Sequence, residues 1–415
     1  MAIIKAFKAF RPTNDLASKI ASKPYDVLNS DEARIEASGN EFSLLRINKP
    51  EIDLPEGTDL YAEEVYQKGK ENLDLFIKNG WLVQDETPYL YIYAQKMGNH
   101  LQKGLVAGSA IDDYFNNVIK KHEYTRPVKE NDRIKHMQTL KAQVGPVFLT
   151  YKPLASIDDV IEKWTKEHEP IQQFTTDDEI EHIVWVIDDS TTIQHLVATF
   201  NSQIKSTYVA DGHHRAAASA KVGKLLREQK GAHTGNENFN HFLSVLFPAN
   251  QLKVMDYNRV VKEMLPDIST DEFLTALMSN FTVIPDKDPV RPSMKGEFGL
   301  YIDKQWYRLL ADDSILMEKD PVESLNISVL SNYVIEPLLG IDDQRTDDRI
   351  DFVGGIRGLK ELEKRVDSGE MRLAFSIPPV SIEDLMSVAD SGKVMPPKST
   401  WFEPKLRSGL FVHQL

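Results

Sequence analysis

Apolar residues along this chain switch period repeatedly, from helical spacing to alternation and back. In YAEEVYQKGKENLDLFIKNGW, residues 61–81, they recur at roughly helical spacing and stop at Asn79-Gly80, which predicts a helix with an ordinary end. PYLYIYAQKM then alternates tyrosines with Leu90 and Ile92, the pattern of a strand with two useful faces. A second strand is expected at 103–107, a helix over AIDDYFNNVIKKHE, another helix over about 130–144, and a return to the sheet at 146–151. Upstream, a helix is expected over about 14–22, then a turn at Pro24-Tyr25-Asp26, then a helix for which Ser30 is the candidate N-cap.

The middle third reads as strand HIVWVID, helix TTIQHLVATF, strand STYVAD, helix HRAAASAKVGKLLRE and strand HFLSVLFP. Alternation of this kind predicts α/β layering. From about residue 266 the texture changes: a helix and strand in TDEFLTALMSNFTVIPDK, a hairpin turning at Asp303-Lys304, and strand, glycine turn, helix and strand from 349 onward. The expected fold class is therefore mixed α/β and α+β. The divisions expected are residues 1–155, 156–265 and 266–415, in line with a length of 415 residues, too long for one ordinary core.

Composition narrows the chemistry. There is no cysteine, which removes disulfides, thiolate metal sites and cysteine nucleophiles and fits a reducing cytoplasm. A net charge of −14 argues against coating nucleic acid, although a local basic pocket is compatible with it. No apolar run reaches membrane-spanning length and the start lacks a signal-peptide core, so a cytoplasmic protein without membrane partners is expected. Tyrosine-rich strands in the first third, read as exposed, make a homodimer conceivable.

The densest chemistry is YVADGHHRAAASAK, residues 208–221, where a strand becomes a helix. Free amides and the dipole at a helix start attract anions. Gly212 can make the turn, His213 and His214 can donate, and Arg215 can grip phosphate oxygens in pairs. Asp211 is the candidate for a metal ion, with Mg2+ favoured, or for a substrate hydroxyl. The ordinary alternative is a capped surface turn, against which stand five apt residues in a row. No Walker or dinucleotide fingerprint is present, and neither are HExxH and GxSxG motifs.

Asp-Gly-His-His-Arg followed by small helix residues resembles the signature of the ParB/sulfiredoxin-like fold, which includes partitioning proteins, sulfiredoxins and free serine kinases. Across the whole chain, KPYDVLNSDEA, VIKKHEYTRPVKENDR, VGPVFLTY, VMDYNRVV, EPLLGI and MPPKSTWFEPKLRSGL resemble the domain of unknown function 1015 family. The resemblance implies a ParB/sulfiredoxin-like core carrying the motif, with additional α+β domains. By likeness to free serine kinases it implies transfer of a phosphoryl group from a nucleotide or pyrophosphate donor to the hydroxyl of L-serine. Asp211 would then sit at metal and substrate, and His213, His214 and Arg215 on phosphate.

Other polar clusters add candidates. His122 and Glu123 are candidate catalytic groups, and Arg126 a phosphate ligand. Glu123, expected at a helix C-terminus, is electrostatically misplaced there unless it is a base or pairs with Arg126 or Arg133. Lys398, Ser399 and Thr400 lie in a proline-braced tail that resembles a strap over an anion, with Lys405 and Arg407 following. Two other readings stay open: a nucleotide-binding ParB-like regulator without turnover, and a phosphatase acting on phosphoserine.

Overall fold

The computed structural model describes residues 1–266 and 268–415. The chain forms two compact units, Met1–Leu252 with Pro404–Leu415, and Lys253–Glu403. Both mix helices with sheets, the expected class.

The first unit is built on a nine-stranded sheet. Its order is Ile119–Lys120, Thr207–Asp211, Val147–Tyr151, His241–Pro248, His100–Ala110, Leu90–Met97, Ile180–Ile187 and Gln172–Thr175, with Ile4–Lys5 against His100–Ala110. Two pairings are parallel, Thr207–Asp211 with Ile119–Lys120 and His241–Pro248 with Val147–Tyr151; the others are antiparallel. The boundary expected near residue 155 runs through this sheet, because strands from both sides of it hydrogen-bond. Leu90, Ile92, Val147, Leu149 and Val209, all wholly buried, fill the core between sheet and helices. Tyr91 and Tyr93, which led to the idea of a homodimer, are also wholly buried within the monomer, so they offer no surface for a partner.

The same unit holds a four-stranded sheet in the order Leu82–Gln84, Ala9–Pro12, Val412–Gln414 and Ala142–Gln143. The C-terminal strand is central in it, so the tail is part of this core.

Local chemistry explains where elements begin and end. Helix Glu63–Lys78 stops at Asn79-Gly80 as expected. Helix Ser30–Glu36 is capped by Asn29 in a reciprocal box with Glu32, and Ser30 is its first residue rather than its cap. The helix expected over AIDDYFNNVIKKHE is short, Ile111–Phe115; Asn117 turns at φ 57°, and Ile119–Lys120 pairs as a strand. Pro127 begins helix Pro127–Leu140, the first-turn position where its missing N–H costs nothing.

In the second unit a six-stranded sheet has the order Phe281–Asp286, Gln305–Ala311, Glu297–Ile302, Leu373–Ser376, Tyr257–Val261 and Ile350–Gly354. The hairpin turns at Asp303-Lys304, both with positive φ, as read from the sequence. Among the described residues no helix is long and apolar enough to cross a membrane.

Candidate functional site

Strand Thr207–Asp211 ends in an irregularity: Val209 pairs with Leu149 and Asp211 with Phe148, so Ala210 has no opposite number. Such a bulge re-aims the next side chain. Gly212 follows at φ 88° and opens helix His213–Lys230. A Cβ there would lie 2.9 Å from the guanidinium carbon of Arg215, so glycine answers both to the backbone and to the space. Gly212 has no side chain with which to cap this helix, whose start carries the positive end of its dipole. Ala216, Ala217, Ala218 and Ala220 are buried, and the helix packs against Pro127–Leu140.

Asp211 is flanked by two cations. Arg215 Nη2 donates to its Oδ2 at 2.7 Å, and Lys405 Nζ donates to its Oδ1 at 3.1 Å. Burial alone would raise this carboxyl, but Lys405 and Arg215 together hold it well below the usual carboxylate range. Arg215 also donates through Nη1 to the Pro146 carbonyl and lies 3.8 Å from Asp26. Burial opposes its charge, and Asp26 and Asp211 more than restore it.

Lys405 comes from the C-terminal segment. Its carbonyl accepts from Gln95 Nε2 at 2.8 Å, and two residues on Arg407 is buried against Asp178, Thr176 and His182. Both anchors fix the lysine on Asp211.

His213 and His122 form a second cluster. Their rings meet edge to face at 4.5 Å, and both are buried. Both nitrogens of His122 and Nε2 of His213 have no hydrogen-bond partner among the described residues. Burial is the first cause that keeps both neutral, lowering His213 to about 4 and His122 well below its ordinary value. Glu123 reaches within 3.7 Å of His213 Nδ1 and is half exposed. It stands in the loop after Ile119–Lys120, not at a helix C-terminus, so the dipole mismatch argued from sequence does not arise.

His214 and Arg126 are coupled differently from the expectation. The Arg126 backbone N–H donates to His214 Nε2 at 3.0 Å, while the Arg126 side chain is exposed. The same loop is tied again where Thr125 and Lys221 both donate to Glu130. Lys398, Ser399 and Thr400 belong to the second unit. There Arg259, wholly buried, donates to the Lys398 and Pro397 carbonyls at 3.0 Å each, and Ser399 Oγ donates to Pro396.

The donor set does not fit a resident magnesium ion. Both oxygens of Asp211 are engaged by cations, which a divalent ion would have to displace. Among the described residues no three His, Asp or Glu side chains converge as a metal site. The structure also brings in two residues the sequence reading left outside the site, Lys405 and Asp26. Their signals were present, a cation just past the proline-braced tail and an acid in the Pro24-Tyr25-Asp26 turn, but only tertiary pairing reveals where they act.

Comparison with solved structures gives remote likenesses. A free serine kinase in complex with AMP aligns at TM-score 0.35 and 14% identity, over 71% of this chain and 85% of the other. A conserved hypothetical protein from Pyrococcus furiosus aligns at TM-score 0.34 and 15% identity, over 79% and 97%. A C-terminally truncated SbnI from Staphylococcus aureus aligns at TM-score 0.38 and 11% identity, over 74% and 87%. No curated protein matches the chain. The family model described as "Protein of unknown function (DUF1015)" matches residues 4–328, and the chain belongs to that family.

Proposed function

We propose that the protein is a small-molecule phosphotransferase working at the Asp211–Arg215 turn. It moves a phosphoryl group between a nucleotide or pyrophosphate donor and a small hydroxyl substrate, L-serine first. The observation that carries this reading is the start of helix His213–Lys230. It is uncapped, opens on a positive-φ glycine, and carries a buried arginine and a buried histidine with an unpartnered ring nitrogen. Such a site offers oriented donors and positive charge to phosphate oxygens, the main demands of phosphoryl transfer.

In this proposal Arg215 and the helix amides hold the donor's phosphates, and Lys405 adds a second cation beside them. Asp211 is the positioning residue that fixes both cations. Glu123, half exposed and near His213, is a candidate to take the acceptor's hydroxyl proton. Magnesium enters only as the companion of the donor's phosphates. The test is chromatographic: ATP, ADP or pyrophosphate is followed with and without L-serine. Serine-dependent consumption of one donor supports the reading; identical consumption with and without serine refutes it.

A further inference from the structure

A cavity of about 30 Å³ lies within the first unit, and Arg215 forms part of its wall. Five stretches of sequence supply the rest, including Tyr25, Asn48, Arg133, Gly145 and Ser408. Two of these groups are out of hydrogen-bond balance. Arg215 Nε and Asn48 Nδ2 are buried donors with no partner among the described residues, and the two residues are 6% and 4% exposed. A buried donor without a partner is costly, so two on one small cavity point to an acceptor that belongs there.

Size and charge define that acceptor. The space takes roughly three non-hydrogen atoms, which excludes a nucleoside phosphate. Arg133 also lines the cavity, but its guanidinium, stacked over Tyr25 at 4.0 Å, is already paired with Asp132, so the two unmet donors alone define the seat. A carboxylate has three heavy atoms and accepts from two N–H donors at once, with the stronger bonds that charge gives. We propose that this cavity seats the carboxylate of the acceptor substrate, so that the phosphoryl acceptor is a hydroxy acid or hydroxy amino acid. Arg215 then serves two ligands, through the Nη hydrogens not taken by Asp211 and Pro146 on the phosphate side and through Nε on the acceptor side. This inference rests on the phosphotransferase reading and specifies its acceptor.

The test measures calorimetric binding of L-serine and glycolate against ethanolamine and ethylene glycol, which keep the hydroxyl and lack the carboxylate. Wild type is compared with Asn48→Asp, which keeps the shape and sets a carboxylate against the ligand. ADP binding is read on the same samples. The expected result is at least tenfold tighter binding of the carboxylates than of their counterparts. Asn48→Asp should lose at least tenfold for serine and bind ADP within twofold of wild type. Equal binding of ethanolamine and serine, full serine affinity in Asn48→Asp, or ADP binding without serine binding each overturns the carboxylate seat, since a buried water then accounts for the donors. Loss of ADP binding by the wild type would instead strike the phosphotransferase reading itself.

Discussion

Asp211 and Lys405, separated by 194 positions in the chain, meet at 3.1 Å, and Arg215 closes on the other carboxylate oxygen at 2.7 Å. This triad makes the C-terminal segment part of the proposed phosphate site. Lys405→Met removes one of the two cations and leaves Asp211 paired with Arg215. The expected outcome is a roughly tenfold loss of ADP affinity, about 1.4 kcal/mol, with the fold intact. Calorimetry alongside circular dichroism checks it; unchanged affinity would remove Lys405 from the site.

Gly212→Ala acts on backbone and space together. A left-handed backbone costs a non-glycine residue roughly 1–2 kcal/mol, and the added Cβ would press on Arg215. A melting temperature lower by a few degrees is expected, with weaker phosphate binding. A variant that binds phosphate as wild type does would show that Arg215 need not be held where it is.

His214→Ala separates loop anchoring from phosphate binding. The ring accepts the Arg126 N–H, so its loss should expose residues 121–126 to proteolysis while ADP affinity changes less than twofold. A tenfold loss of affinity with an intact loop would return His214 to the phosphate.

Acid should destabilise the protein through its buried histidines, His213 among them, and at lower pH through Asp211. Burial, first of all, lowers His213 to about 4, whereas an unfolded histidine titrates near 6.5. The unfolded chain therefore takes this proton first; the contribution is complete above about pH 6.5 and is lost as pH falls toward 4, at up to about 1.4 kcal/mol per pH unit. Asp211 acts lower. Its depressed carboxyl stabilises the fold above roughly pH 4 and loses that contribution as pH falls through its folded value. In a series of melting curves, His213→Gln should fall less steeply between pH 6.5 and 4 than wild type. Parallel slopes would mean that His213 is not held neutral.

Local signals made much of this legible. Strand Thr207–Asp211, the glycine turn, the following helix and the Asp303-Lys304 hairpin follow from short-range period and turn chemistry. The helix expected to carry Glu123 failed because strand pairing of Ile119–Lys120 outweighs helical spacing in a segment broken at Asn117. Lys405 could not be placed from sequence, since its position depends on the tail re-entering a sheet as strand Val412–Gln414. Tyr91 and Tyr93 read as surface because alternation marks two faces without saying that both are covered.

The most direct measurement is phosphorus NMR of the purified protein with magnesium, L-serine and each of ATP, ADP and pyrophosphate, run beside Arg215→Met. The expected result is an O-phosphoserine resonance that depends on one donor and disappears in the variant. No phosphoserine with any donor, while ADP is still bound, would contradict it and leave a nucleotide-binding protein without turnover.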